Sequence, residues 1–155
     1  SFGFDTGSPE HEGYAAELAA TQASVKRMRE AGIRVLVGGD YGLNITPHGT
    51  YAKELQYFTD YFGFSAGEAL QAATKHGGEA FMPDGSLGTL EAGKIADMVI
   101  VKGNPLEQIG VLQDADAIAA VIKEGQIYTG LLDNQSPHQK NAEQLNQLLG
   151  ARPCN

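Results

Sequence analysis

The fold of this chain is decided by residues 33–40, which read Ile-Arg-Val-Leu-Val-Gly-Gly-Asp. Such an apolar, β-branched run is typical of a strand buried on both faces, as in a parallel sheet that helices cover. The two glycines let the backbone leave the strand at angles that other residues avoid. In such sheets, and above all in α/β barrels, the carboxyl ends of strands hold the catalytic groups. Asp40 is therefore a candidate site residue, and the alternative is a simple turn residue that caps the next helix.

Composition and charge limit the kinds of partner that the chain can have. Its 155 residues carry 11 basic and 19 acidic side chains, a formal charge of −8, which argues against nucleic acid or anionic membranes as partners. The single cysteine, Cys154, excludes an internal disulfide framework and a thiolate metal cluster. Apolar runs such as residues 98–101 are far shorter than the roughly 20 residues of a membrane span. Because no basic-then-apolar leader opens the sequence, we expect a cytoplasmic protein, unless a preceding segment carries a signal.

The first half of the sequence predicts helices around this single strand. Residues 1–12 predict a loop, in which Ser8 or Pro9 is a candidate helix start. Leucine, valine and methionine recur at near-helical spacing from Tyr14 to Ala31, and Gly32 suits the end of this helix. The elements predicted after it are a strand over 33–37, a loop over 41–49, a helix over about 50–61, a second helix opened by a capping box at Ser65 and Glu68, and a short irregular segment over 75–81 around Gly77-Gly78.

The character of the sequence changes at Pro83, after which strand patterns dominate. Residues 96–101 predict one strand. Residues 118–123 and 126–129 predict a hairpin through the turn signal Glu124-Gly125. Beyond residue 130 the chain is polar and rich in amides until three leucines near its end, which predict a short amphipathic helix or a frayed tail.

Several stretches are distinctive when they are taken together and in order. Residues 65–74 read SAGEALQAAT, and residues 85–106 read GSLGTLEAGKIADMVIVKGNPL; residues 31–40, 47–49 (PHG) and 53–55 (KEL) precede them. They resemble the C-terminal portion of an amidohydrolase-superfamily enzyme of the imidazolonepropionase-like and prolidase-like group. The motifs of that group run T-P-x-E-A-L-x-A-A-T and G-x-L-x-P-G-K-x-A-D-L-V-V-L-x-G-N-P-L. The resemblance covers roughly residues 20–130 of the chain.

The resemblance implies an α/β fold, namely the C-terminal βα segment of a TIM-like (β/α)8 barrel followed by part of a small β-sandwich domain. We expect residues 1–82 to belong to the barrel, 83–130 to the sandwich and 131–155 to a polar tail with a short helix. Gly39 stands where the family usually has threonine or serine, which removes a hydroxyl near the site but keeps the turn. Gly77-Gly78 stands where the family prefers a helix-forming N-A-A, so packing below the site is expected to differ.

The resemblance also implies roles for Asp40 and Asp97, and position in the loop after Asp40 suggests roles for His48 and Tyr41. Asp40 matches the aspartate that binds the metal and handles the proton of the nucleophilic water, so it is expected to be both a metal ligand and the general base. His48 follows in the next loop and is expected to contact substrate, with a surface histidine as the alternative. Tyr41 is expected to line the same pocket. Asp97 belongs to the sandwich signature, where a structural turn role is expected.

The rest of the family's metal site has no counterpart in this sequence. No His-x-His pair occurs in it, a complete barrel usually needs about 250 residues, and a catalytic zinc usually needs three protein ligands. The chain, which begins with Ser1, is therefore expected to be a C-terminal fragment or subunit that needs an N-terminal portion of the same enzyme. The expected cofactor is a divalent metal, zinc as one or two ions, bound mostly by residues absent from this chain.

The expected reaction is hydrolysis of C–N bonds in a small-molecule amide, dipeptide or cyclic imide, by an oligomer. The alternative is a non-catalytic, truncated module that binds a partner through its unclosed barrel face.

Overall fold

The computed structural model describes residues 5–43 and 46–130, and the predicted amphipathic tail over 131–155 lies outside the described residues. Helices occupy the first part of the described chain and an antiparallel sheet the second. In chain order the elements are α1 (Pro9–Glu30), α2 (Lys53–Tyr61), α3 (Ala66–Gln71), a π-helical turn (Ala72–His76), α4 (Gly77–Phe81), β1 (Met98–Val101), two 3₁₀ turns (Ile109–Gln113 and Ala115–Ala117), β2 (Ile118–Lys123) and β3 (Gln126–Gly130). None of the helices in the described ranges combines the length and the apolar character that crossing a bilayer requires.

Helix α1 begins and ends at recognisable capping signals. Ser8 accepts a hydrogen bond from the backbone N–H of His11 (3.2 Å), and Pro9 occupies the first helical turn. The helix therefore begins at Pro9, as the candidate start at Ser8 or Pro9 allowed, and residues 9–12 are helical rather than part of the predicted loop. At its end Gly32 adopts φ +73°, and the N–H of Ile33 donates to the Met28 carbonyl (2.9 Å), as in a Schellman motif. The prediction that Gly32 ends this helix is confirmed.

The predicted strand over residues 33–37 is wrong for the described chain. No strand ladder pairs with these residues among those that the structure describes, because a strand needs a neighbouring strand and the described chain supplies none beside it. Val35 and Val37 pack against the helical core, whereas Ile33 and Leu36 are 56% and 38% exposed. The expected burial on both faces is therefore not met either, since only one face of the segment is covered.

The helical core lies where α2 and α3 meet residues 33–40. Its buried members are Leu55, Phe58, Ala69, Ala72 and Ile109. The predicted capping box at the start of α3 is confirmed, since Ser65 and Glu68 exchange side-chain to backbone hydrogen bonds. Hydrogen bonds from the Ser65 backbone and hydroxyl, with a smaller contribution from Arg29, hold the pKa of Glu68 below its usual range.

The segment around Gly77-Gly78 is helical, whereas the sequence predicted a short irregular segment over 75–81. The irregularity is limited to a π-helical turn before Gly77. A π-helical turn at Ala72–His76 leads into α4 without a break. The reason is a close backbone contact that the local sequence does not reveal. A Cβ at position 78 would lie 2.5 Å from the Leu87 carbonyl oxygen and 2.7 Å from the Cα of Gly88. Gly78 therefore permits α4 to lie directly on the loop that leads to the sheet.

The second part of the described chain is a three-stranded antiparallel sheet in the order β1-β2-β3. The predicted hairpin is confirmed, with Glu124 (φ +52°) and Gly125 (φ +79°) in the turn between β2 and β3. Asp97 accepts a hydrogen bond from the Glu124 N–H (2.7 Å) and so supports this turn. The structural role expected for Asp97 is confirmed.

The two adjacent glycines of α4 give a test of this close contact. Gly78→Ala should lower the free energy of unfolding by about 1–3 kcal/mol, because its methyl group has no room against Leu87 and Gly88. Gly77→Ala is the matched control, because its Cβ would meet only the Ala72 carbonyl oxygen at 3.4 Å. This variant should raise the free energy of unfolding by about 0.4–1 kcal/mol through a less flexible unfolded chain. Urea unfolding monitored by circular dichroism measures both, and equal effects of the two substitutions would contradict the assignment.

Candidate active site

Asp40 stands between two sets of hydrogen bonds that fix the backbone around it. On its N-terminal side, the Glu54 carboxylate accepts hydrogen bonds from the N–H groups of Gly38 and Gly39, each at 2.9 Å. On its C-terminal side, the Thr46 hydroxyl donates to the Asp40 carbonyl oxygen at 2.6 Å. A turn follows, in which the Gly42 N–H donates to the Thr46 carbonyl (2.8 Å). The backbone position of Asp40 is thus set by side chains on both sides.

The Asp40 carboxylate itself is exposed and makes no hydrogen bond or ion pair with any residue that the structure describes. It is therefore available to an external ligand. Within residues 5–43 and 46–130, no group of three or more His, Cys, Asp or Glu side chains is arranged to hold a metal ion. The described residues therefore do not form a metal site by themselves, since a catalytic zinc usually has three protein ligands and Asp40 is a single carboxylate.

Tyr41 folds back over the residue that precedes Asp40. A Cβ on Gly39 would lie 2.5 Å from Cε2 of Tyr41 and 3.2 Å from Oε2 of Glu54. Burial, and secondarily the negative charge of Glu54, raise the pKa of Tyr41 above its usual value. Its hydroxyl donates to the Tyr51 carbonyl oxygen at 3.4 Å.

His48 and Tyr41 are brought together by Tyr51, a residue that the sequence analysis missed. The Nδ1 atom of His48 lies 2.8 Å from the Tyr51 hydroxyl oxygen. The Tyr41 and Tyr51 rings meet edge to face with centroids 4.6 Å apart. These three side chains, the rim cluster, line the loop that leads from Asp40 to α2. The three-residue spacing between His48 and Tyr51 just before a helix was the available sequence signal.

Glu54 is the second residue of this site that the sequence analysis did not single out. It lies in the first turn of α2, where the helix N-terminus favours a negative charge. Its contact with Gly38 and Gly39 spans 16 and 15 residues of chain. The available sequence signal was an acidic residue in the first turn of the helix that follows the glycine pair. This pattern is too common to identify the contact.

A separate hollow of about 730 Å³ lies between α1 and the end of α2. Arg29 dominates it and donates to the carbonyl oxygens of Phe62 (3.2 Å) and Gly63 (2.5 Å) and to the Glu68 carboxylate (2.8 Å). Its guanidinium also lies 4.1 Å from the centre of the Phe64 ring. Because these contacts already use the Arg29 guanidinium, we interpret the hollow as part of the packing between α1 and α2 and not as a binding site.

The sequence of the chain is similar to that of known proteins. The sequence profile described as "Amidohydrolase family" matches residues 13–128. Ochratoxinase from Aspergillus niger is 34% identical over 116 residues, which are 74% of this chain and 22% of that protein. Imidazolonepropionase from Symbiobacterium thermophilum is 31% identical over 110 residues, 71% of this chain and 26% of that protein.

Solved structures give the same result. A Xaa-Pro dipeptidase with methionine bound in its active site matches 70% of this chain and 25% of its own, with a TM-score of 0.61 and 35% identity. The A. niger ochratoxinase structure matches 70% of this chain and 24% of its own, with a TM-score of 0.62 and 31% identity. The chain thus spans about a quarter of the length of these relatives.

The packing of Tyr41 on Gly39 can be tested by a double-mutant cycle. Gly39→Ala should cost about 1–3 kcal/mol of unfolding free energy, because its methyl group displaces the Tyr41 ring. In a Tyr41→Ala background most of that cost should disappear. Urea unfolding of the four proteins measures the coupling. Additive effects, within about 0.5 kcal/mol, would show that the ring does not restrict this position.

Proposed function

The chain belongs to the amidohydrolase family, and we propose that it is the C-terminal part of a metal-dependent hydrolase that cleaves C–N bonds. The relatives are named as an ochratoxinase, an imidazolonepropionase and a Xaa-Pro dipeptidase. Their diversity leaves the substrate class of this chain at the level of an amide, a dipeptide or a cyclic imide. The activity is that of a larger assembly, since the chain spans only about a quarter of each relative.

The observation that carries the proposal is the isolated carboxylate of Asp40. Its backbone is held on both sides, whereas its side chain makes no bond to the described residues. A carboxylate that the fold positions but does not use is what a metal ligand and general base require. Asp40 would take a proton from the attacking water and return it to the leaving amine.

A divalent metal, expected to be one or two zinc ions, would supply the Lewis acidity that lowers the pKa of that water toward about 7. Asp40 would be the one ligand from this chain. The remaining ligands would come from the N-terminal portion of the same enzyme, because the described residues contain no metal-binding group of their own.

Substrate contacts are assigned to the rim cluster. Tyr41 offers its ring, since its hydroxyl is directed to the Tyr51 carbonyl. His48 offers Nε2, since Nδ1 is engaged with the Tyr51 hydroxyl. When that hydroxyl donates to Nδ1, the proton of an uncharged imidazole lies on Nε2, which makes His48 a donor to a carbonyl or carboxylate of the substrate.

The domain division follows from the same proposal. Residues 1–82 would complete a (β/α)8 barrel, with 33–40 as its last strand, and residues 83–130 would contribute β1–β3 to a small β-sandwich. The peptide groups of residues 34–37 make no hydrogen bond to other described residues, and α1 buries no side chain. Both features support a missing neighbour, which we propose is the N-terminal portion of the enzyme within an oligomer.

Replacing Asp40 by asparagine in the full-length protein that contains this chain tests the mechanism. Asp40→Asn keeps the size of the side chain but removes the base, so kcat/KM should fall by a factor on the order of 10² to 10⁴. Hydrolysis of acyl-amino acids, X-Pro dipeptides and cyclic imides is the assay, with metal content measured in parallel. Asp60→Asn, at an exposed aspartate of α2, is the matched control and should leave turnover unchanged. Retained turnover in Asp40→Asn would remove Asp40 from the mechanism.

A second candidate function is a non-catalytic interaction module, favoured by the exposed apolar side chains Ile33 and Leu36. Intact mass analysis of the purified protein separates the two candidates. A polypeptide that contains both this chain and a His-x-His segment, or a stoichiometric partner bearing that segment, supports the enzyme. A monomer of this chain alone, without bound metal or turnover, supports the module.

A further inference from the structure

We propose that Glu54 is a positioning residue for the chemistry assigned to Asp40, a role that rests on the function proposed above. Its carboxylate holds the two peptide N–H groups that immediately precede Asp40 and so fixes the direction in which the Asp40 side chain leaves the backbone. Glu54 itself is not a catalytic residue, because it acts on the backbone and not on the reacting atoms.

The geometry of the contact is specific. Each oxygen of the carboxylate accepts one bond, Oε1 from the Gly38 N–H and Oε2 from the Gly39 N–H, both at 2.9 Å. Hydrogen bonds to an ionised acceptor are among the stronger ones in proteins. Because two consecutive peptide groups are bound, the contact restrains the orientation of the backbone and not only its distance from α2.

The base of the Glu54 side chain is itself rigidly held. Glu54 precedes Leu55, which is buried in the helical core together with Phe58 of the same helix. The side chain is half-buried, between α2 and the glycine pair. The carboxylate thus extends from a helix that is anchored in the core, and its two hydrogen bonds connect the backbone before Asp40 to that core.

The restraint is needed because glycine by itself gives none. Gly38 and Gly39 have the largest backbone freedom of any residue type, and no strand pairs with them in the part of the chain that the structure describes. Thr46 restrains only the carbonyl that follows, at 2.6 Å. Without Glu54 the N-terminal side of Asp40 would be held by two flexible residues alone.

Tyr41 adds a second contact to the same arrangement. Its ring occupies the space beside Gly39 that a side chain would fill, and Oε2 of Glu54 borders that space. The glycine, the tyrosine and the glutamate thus form one packed unit directly before Asp40.

The test is Glu54→Gln in the full-length protein that contains this chain. Glutamine keeps the size of the side chain but turns one acceptor into an NH₂ donor, which faces a peptide N–H instead of binding it. We expect kcat to fall about 10- to 100-fold, as for supporting residues around metal ligands, with KM changed less than about twofold. Hydrogen exchange of the Gly38 and Gly39 amides should become faster in the same protein.

The matched control is Glu79→Gln. Glu79 is also half-buried and pairs with Arg34 at the start of the same segment. If any contact that restrains residues 33–40 had the same effect, the two variants would lower kcat equally, and the positioning role would be overturned. We expect Glu79→Gln to change kcat less than about twofold. Should Glu54→Gln fail to fold, Glu54→Asp keeps the charge, shortens the reach and should lower kcat to an intermediate value.

A double variant shows whether Glu54 acts through Asp40. Adding Glu54→Gln to Asp40→Asn should not lower the residual rate further, and a full additional loss would overturn the proposal. If Asp40→Asn abolishes turnover while Glu54→Gln leaves kcat unchanged, only the positioning role is wrong. If Asp40→Asn itself keeps full turnover, the proposed function and the role of Glu54 are both wrong.

Discussion

The peptide groups of residues 33–40 have to find hydrogen-bond partners, and the described chain satisfies only those at the two ends of the segment. At the start, the Ile33 N–H bonds to the last turn of α1. At the end, Glu54 and Thr46 bond to the groups on either side of Asp40. The middle, residues 34–37, has no such partner among the described residues. An unpaired stretch between two fixed ends agrees with the proposal that residues 33–40 are a barrel strand.

Hydrogen bonds from Gln22 to the Tyr61 carbonyl oxygen (3.0 Å) and from Arg29 attach helix α1 to the elements that follow. None of its residues is buried, so apolar packing contributes little to holding it. Arg29 instead binds the carbonyl oxygens of Phe62 and Gly63, just beyond the C-terminal end of α2, where a positive charge is favourable. It also pairs with Glu68 and lies over Phe64. The helix that precedes the segment 33–40 is therefore attached to the ends of α2 and α3, which pack against that segment.

The sequence predicted the features that depend on near neighbours. The capping box at Ser65 and Glu68, the end of α1 at Gly32 and the hairpin at Glu124-Gly125 each depend on a few consecutive residues, and all are confirmed. The strand predicted over 33–37 is not formed among the described residues, because pairing needs a distant partner that the sequence of the segment does not supply. The form of α4 depends on Leu87 and Gly88, and the contact of Glu54 with Gly38 depends on the fold of the loop between them. Such contacts leave no pattern in a single sequence.

Gly39 shows how one departure from a family pattern can be explained by the packing around it. The threonine or serine expected there would place its Cβ 2.5 Å from the Tyr41 ring, so the glycine and the tyrosine are compatible only as a pair. The ring in turn contacts the Tyr51 ring edge to face, and its hydroxyl donates to the Tyr51 carbonyl oxygen. An uncharged aromatic surface therefore stands where a small hydroxyl is usual. Under the proposed function, this exchange would change the surface beside Asp40 without changing the carboxylate, so substrate choice and the chemistry would depend on different residues.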